Sequence, residues 1–218
     1  PPALAAAGYE VIEPGRYSPM TDDFSAQISA FRSAQVDIVM GTMIPPDFVG
    51  FWTQSQQQGL RPKIATIGKS LLLPNVLMGV GASASGLSTE VAWHPAYPFV
   101  STGTGANAAQ IAEAWTAATG RPWIQTIGLN HALIDLALDV MRRSDDPEDA
   151  GSVIAAIRAS DCETTLGRAN WGASPIANVA KSAMMGGQWL MQGDAWQLEI
   201  AANPTDLPIP VTRALSAL

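Results

Sequence analysis

The chain is poor in the residue types from which most catalytic and metal centres are built. It has one cysteine and two histidines among 218 residues. An intramolecular disulfide is therefore excluded, and no CxxC or Cys/His metal spacing occurs around Cys162, His94 and His131. A single cysteine is compatible with the cytoplasm or the periplasm, so it does not identify the compartment.

Charged residues are also scarce, at 14% of the chain, and the balance is acidic, with a formal net charge of −7. The 12 lysines and arginines are scattered, whereas a phosphate backbone requires clustered cations, so the sequence argues against a nucleic-acid partner. No apolar run reaches the roughly 18 residues of a membrane-spanning helix. The first residues lack the basic leader of a signal peptide, and we expect the chain to begin in the middle of a fold.

The first ninety residues alternate between strand and helix patterns. Apolar runs bounded by glycine and proline predict strands at residues 9–12, 36–40 and 63–68. Helical spacing predicts helices after Thr21-Asp22, from Pro45 to Gly59 and from Leu71 to Gly79. This order indicates right-handed βαβ units and a parallel sheet. Ligands of such sheets bind beyond the carboxyl ends of the strands, which here are Gly41–Ile44 and Gly68–Ser70.

The rest of the chain is more mixed. A strand over residues 86–93 runs into the proline-rich segment His94–Phe99, which we interpret as a crossover between lobes. Helices are predicted at 106–119, 128–143 and 152–158. Short strands with glycine-rich turns follow at 164–167, 182–185 and 196–200.

An ordered set of segments resembles the leucine/isoleucine/valine-binding protein family, the periplasmic solute-binding proteins of ABC importers. In chain order they are Gly8-Tyr9-Glu10-Val11, Asp23–Ile28, Asp37–Gly41, Phe51-Trp52 to Gln58-Gly59, Gly128–Asp139, Thr164–Gly167 with Asn170-Trp171, and Gly186–Trp189. The resemblance implies an α/β type I periplasmic-binding fold, in which two Rossmann-like lobes close on a small solute.

The resemblance also implies a division of the chain. Residues 1–95 would form the second lobe, residues 96–172 a crossover and helices associated with the first lobe, and residues 173–218 a return to the second lobe. The family's first-lobe sheet normally precedes these segments, so we expect it to be missing here. Without that sheet the helices of 106–158 would have nothing to cover, and we expect self-association through their apolar faces.

The function implied by the resemblance is non-catalytic binding of a small organic solute in the periplasm, with membrane permease subunits as partners and no cofactor or metal. The ligand contacts it implies are Thr42, Met43, Ile44, Gly68, Lys69, Ser70, Trp93, His94 and Asn130.

Three of these residues allow more specific expectations. In several amino-acid binders of the family, an acid near the second strand-end loop pairs with the ligand ammonium. In this chain Lys69 lies in that loop. A lysine instead attracts an anion, so we expect a carboxylate-bearing, possibly aromatic, solute. Trp93 is a candidate for stacking on a ring, with a core role as the alternative. Asn130 either reaches the ligand or caps its helix.

Two other functions are alternatives. A ligand-sensing regulator or receptor domain of the same fold would differ in its partner and not in its pocket. An α/β enzyme would need a titratable pair at a strand end, and beyond Lys69 and His94 the sequence offers none. The GxGxxA match at Gly103–Ala108 does not follow a clean strand, so it does not indicate a dinucleotide site.

Overall fold

The computed structural model describes residues 2–218, in which helices and strands alternate in the first half. The helices are α1 (Pro2–Ala6), α2 (Ser25–Ser33), α3 (Pro45–Gln57), α4 (Pro74–Val80), α5 (Ala108–Thr119), α6 (Gln125–Arg143) and α7 (Ala150–Arg158). The strands are β1 (Ile38–Met43), β2 (Ile64–Lys69), β3 (Ser88–Val91), β4 (Asp161–Thr164), β5 (Gly167–Asn170), β6 (Met185–Gln192) and β7 (Ala195–Ala202). Short 3-10 turns flank α4 at Ser70–Leu72 and Gly81–Ala84.

Five strands form one sheet in the order β1-β2-β3-β6-β7, and β4 and β5 form a separate antiparallel pair. β1 runs parallel to β2 from Ile38 opposite Ile64 to Met43 opposite Lys69, and β2 runs parallel to β3. Only two residues connect β6 to β7, a length that antiparallel strands alone permit. The predicted α/β class and its parallel βαβ units are confirmed, in a sheet that is mixed overall.

The chain divides into two compact units. Unit 1 contains the residues up to Thr89 together with 188–199 and 215–218, and unit 2 contains 90–187 and 200–214. The chain therefore passes from one unit to the other within β3, β6 and β7. The assignment of residues 1–95, 96–172 and 173–218 to particular lobes stays a prediction.

Unit 1 has the core that the sequence predicts around α3. Proline at the first two helical positions sets the backbone angle for helix initiation. The apolar stripe Phe48, Phe51 and Trp52 is buried as expected. The ring of Phe51 meets Phe24 edge-on, with ring centroids 5.8 Å apart. The helical spacing of these residues thus places their aromatic rings together on the buried face of α3.

Several strand predictions need correction. The strand expected at 164–167 is instead the tight turn that joins β4 to β5, in which Thr164 pairs with Gly167. Residues 9–12 form no strand, although their pattern is suitable, because a strand also requires a hydrogen-bonded partner. β1 begins two residues later than expected and is not a fully buried strand. Ile38 is 42% exposed and Met40 is 55% exposed, because β1 is an edge strand with one face uncovered. The strand expected at 182–185 begins only at Met185 and continues to Gln192.

In unit 2, α6 begins three residues before the predicted start at Gly128. This glycine therefore lies inside the helix, and the indole of Trp93 packs directly against it. A Cβ atom at this position would come within 2.1 Å of the ring. Glycine normally weakens a helix interior, so the close helix–ring contact accounts for its presence.

We expect Gly128→Ala to destabilise the protein strongly, because a buried indole cannot yield to a contact this short. The expected loss in the free energy of unfolding is about 1–3 kcal/mol or more, measured by urea denaturation. Gly79→Ala in α4 is the matched control, since its new Cβ would meet Val49 at an ordinary 3.7 Å. That variant should be neutral or more stable by about 0.5–1 kcal/mol. Equal effects of the two substitutions would contradict the packing described.

Candidate functional site

The carboxyl ends of β1 and β2 lie side by side in unit 1. The parallel register pairs Thr42 with Gly68 and Met43 with Lys69. The buried hydroxyl of Ser70 donates a hydrogen bond to the carbonyl of Met43, which ties the two strand ends together. Six of the nine predicted site residues, Thr42, Met43, Ile44, Gly68, Lys69 and Ser70, are therefore brought together in one group.

Burial separates this strand-end group into supporting and accessible members. Met43 and Ser70 are buried, whereas Thr42 and Lys69 are exposed. Ile44 and Gly68 are half-buried. The hydroxyl of Thr42 and the ammonium of Lys69 are thus the functional groups that the pair of strand ends presents to solvent.

Lys69 has a backbone conformation that is rare for a residue with a side chain. Its φ of 67° and ψ of −59° fall in the strained γ-turn region. Strain at a non-glycine residue is concentrated at functional sites in proteins. The lysine therefore occupies a position where glycine would fit with less strain.

The amino terminus of α3 follows directly after this group but offers few donors to an anion. Pro45 and Pro46 have no N–H at the first two helical positions. Asp47 in the same turn is only 2% exposed, and its Oδ1 accepts the N–H of Met20 at 2.9 Å. The helix terminus is thus neutralised by its own carboxylate, and Lys69 is the one charged side chain in the strand-end group.

Sequence reasoning missed Asp47. An acid at the third position of a helix that begins with two prolines stabilises the amino terminus of that helix. This pattern was the signal in the sequence that could have indicated a role for Asp47. Its partner Met20 lies 27 positions earlier in the chain, so the local sequence pattern around Asp47 does not predict this hydrogen bond.

Trp93 belongs to the core of unit 2. It is 0% exposed, its ring faces Gly128, and Trp123 meets it edge-on with ring centroids 5.8 Å apart. Of the two roles considered for Trp93, the packing supports the structural one.

The segment that carries Trp93 is held by Gln125, a fully buried side chain at the start of α6. Its Oε1 accepts the N–H of Ala92 at 2.8 Å, and its Nε2 donates to the carbonyl of Glu90 at 3.1 Å. A buried backbone without such partners would be strongly destabilising. Gln125 thus takes the place of a strand partner, a role that the sequence alone did not reveal.

His94 and Asn130, the other predicted site residues of unit 2, are placed differently. His94 Nδ1 accepts the N–H of Ala96 at 3.0 Å, and its ring lies edge-on to Trp123. Asn130 is exposed and lies in the second turn of α6. The cap of that helix is Ile124, so the suggested capping role of Asn130 is wrong.

A serine, an aspartate and a histidine meet in unit 2, but not in the order that nucleophilic catalysis requires. The hydroxyl of Ser101 donates directly to Oδ1 of buried Asp135 at 2.7 Å, and His131 Nδ1 lies 3.3 Å from Oδ2 of the same carboxylate. Asp135 stands in the middle, so no imidazole contacts the hydroxyl. Across residues 2–218 there is also no group of three or more His, Cys, Asp or Glu residues arranged to hold a metal ion.

Comparison with known proteins identifies the family of the chain. Residues 2–194 match the family model described as Periplasmic binding protein. The chain belongs to this family. No curated protein sequence matches it. Within residues 2–218, no helix has both the length and the apolar character that crossing a membrane requires.

Solved structures of periplasmic binding proteins share this fold. A leucine binding protein from Thermotoga maritima superposes with a TM-score of 0.68 at 19% identity, covering 88% of this chain and 51% of that one. A solute binding protein from R. palustris in complex with benzoate gives 0.69 at 15% identity, with coverages of 95% and 55%.

A branched-chain amino acid binding protein from Streptococcus pneumoniae in complex with isoleucine gives a TM-score of 0.61 at 12% identity, with coverages of 85% and 50%. The chain thus spans about half the length of the solved structures that it matches. At these identities the likeness establishes the fold alone.

The strain at Lys69 predicts that Lys69→Gly makes the protein more stable. Relief of a strained non-glycine residue is worth about 1–3 kcal/mol, and the larger unfolded-state entropy of glycine offsets about 0.5–1 kcal/mol. We expect the free energy of unfolding from urea titration to rise by about 1 kcal/mol. Lys63 is an exposed lysine that is not among the residues with positive φ. Lys63→Gly should therefore lower the free energy of unfolding. A Lys69→Gly protein less stable than wild type would contradict the strain.

Proposed function

We propose that the chain is part of the extracytoplasmic solute-binding component of an ABC importer of the branched-chain-amino-acid type. Its solute, in this proposal, is a small organic carboxylate, and an aromatic acid is the kind that we propose. The periplasm is the compartment and membrane permease subunits are the partners that this role requires. Membership of the periplasmic binding protein family supports the role, and the strand-end group of unit 1 supports the class of solute.

The observation that carries the choice of solute is the cation at Lys69. The strand-end group contains no acidic residue, and the carboxylate of Asp47 is buried and engaged by the backbone of Met20. The positive charge of Lys69 repels an ammonium group on the solute and attracts a carboxylate. Among proteins of the same fold, one is known in complex with benzoate and another with isoleucine. Both solutes carry a carboxylate, but only the amino acid brings an ammonium.

Titration of the isotope-labelled chain with benzoate, isoleucine and benzylamine tests this choice. Amide NMR shifts register binding even at millimolar affinity, and we expect benzoate to move the signals of 42–44 and 68–70. Lys69→Met should weaken benzoate binding roughly fivefold, equivalent to about 1 kcal/mol of charge attraction.

Lys63→Met, which removes an exposed lysine bound to Asp37 outside the strand-end group, is the matched control and should leave benzoate affinity unchanged. Isoleucine binding tighter than benzoate, with no response to the acid, would contradict the proposed solute class. Absence of any response to all three compounds would contradict solute binding by this chain.

The same proposal includes self-association of the chain through unit 2. α6 and α7 expose five large apolar side chains, Leu133, Ile134, Leu138, Met141 and Ile154. α6 and α7 contact each other, and exposed large apolar side chains concentrated on two neighbouring helices often mark an interaction surface. A second copy of the chain is the occupant that we propose for it.

Light scattering is expected to give a mass above that of one 22.9 kDa chain. Leu133→Lys should shift the protein toward the monomer, because it places a charge in the apolar patch. Met78→Lys, at an exposed methionine of α4 in unit 1, should not. A strictly monomeric wild-type protein would contradict self-association.

A further inference from the structure

The loop Tyr17–Met20 is fastened to the first turn of α3 in unit 1. The Met20 N–H donates to Oδ1 of Asp47 at 2.9 Å, and the same carboxylate contributes to the raised pKa of the Tyr17 hydroxyl. The Tyr17 ring packs edge-on against Phe24, with ring centroids 5.2 Å apart. α3 begins two residues after β1 ends, so the loop lies at the same end of the sheet as Lys69.

Met20 has a strained backbone conformation that the packing of the fold does not explain. Its φ is 64°, in the left-handed region that favours glycine. Its side chain is 69% exposed, so the apolar atoms contribute little to the core. An exposed, strained, large apolar residue at the same end of the sheet as the strand-end group is a reason to infer function.

Met20 and Lys69 both have a positive φ, and both lie at the same end of unit 1. Within residues 2–218, the other non-glycine residues with positive φ are Gln35 and Asn178. Gln35 lies between α2 and β1, at the amino end of the sheet and away from the strand-end group. Strain at the carboxyl end therefore falls on the two exposed side chains that complement each other chemically, one apolar and one cationic.

We propose that Met20 is a specificity-determining residue of the solute site and that Asp47 is the positioning residue that holds it there. This inference rests on the proposed function. The polarizable thioether of methionine adapts to flat apolar surfaces and contacts aromatic rings favourably. Met20 would meet the ring of the solute, while Lys69 attracts its carboxylate.

Met20→Gly separates this role from a structural one, because it relieves the strain and removes the side chain. We expect the unfolding midpoint to stay the same or rise, while the affinity for benzoate falls roughly fivefold and that for acetate, which has no ring, changes less than twofold. Gln35→Gly is the matched control. It relieves similar strain at the opposite end and should leave both affinities unchanged.

The two failures are distinguishable. If wild type binds no carboxylate, the proposed function fails. If wild type binds benzoate and Met20→Gly binds it equally well, or loses acetate and benzoate affinity alike, the role of Met20 is overturned.

Asp47 is tested by comparing Asp47→Ala with Asp47→Asn. The asparagine oxygen still accepts the Met20 N–H, so Asp47→Asn should keep benzoate affinity within about twofold, whereas Asp47→Ala should lose about as much as Met20→Gly. Burial first, and then the Asp47 carboxylate, raise the pKa of Tyr17. Both variants should therefore lower the Tyr17 pKa in an NMR titration of the phenol. Full benzoate affinity in Asp47→Ala, or an unchanged Tyr17 pKa in both variants, would overturn the positioning role.

Discussion

The parallel pairing of β1 with β2 is the constraint on which the candidate site depends. It sets Met43 opposite Lys69, so that both strands end level and Ser70 can bond to the Met43 carbonyl. A slip of one residue would exchange the two faces of a strand, moving Thr42 toward the interior and Met43 toward solvent. Because α3 starts at the next turn, the same register also decides where Asp47 lies and where it holds Met20.

Unit 2 depends on buried polar side chains that serve irregular backbone. Residues 92–107 contain no helix or named strand, yet parts of this segment are buried, and a buried peptide group must find a partner. Gln125 supplies both an acceptor and a donor to residues 90–92. Asp135 accepts the hydroxyl of Ser101, which in turn accepts the N–H of Thr104. These contacts give one arrangement to a segment whose composition does not specify a regular element.

Much of the local structure is predictable because its causes are local. The prolines of α3, its buried stripe and the positive φ of Gly59 after it follow from residue type and spacing. Two failures have a non-local cause. Residues 9–12 have a strand pattern without a strand partner, and the start of α6 was placed at Gly128 because nothing nearby indicates that Trp93 needs the space. For the site, spacing located the strand ends and Lys69, but not the strain at Lys69 or the bond from Asp47 to Met20.

The sequence by itself determined the α/β class, the order of the βαβ units and the residues at which the parallel strands end, with one lysine among them. Hydrophobic periodicity and turn residues encode these features over a few positions. Only the tertiary structure decided that Trp93 is enclosed, that β1 has an open face and that a loop 27 residues away is fastened to α3. A repeat of apolar residues records which face of an element is buried. What covers that face depends on contacts between distant residues, which local sequence patterns do not encode.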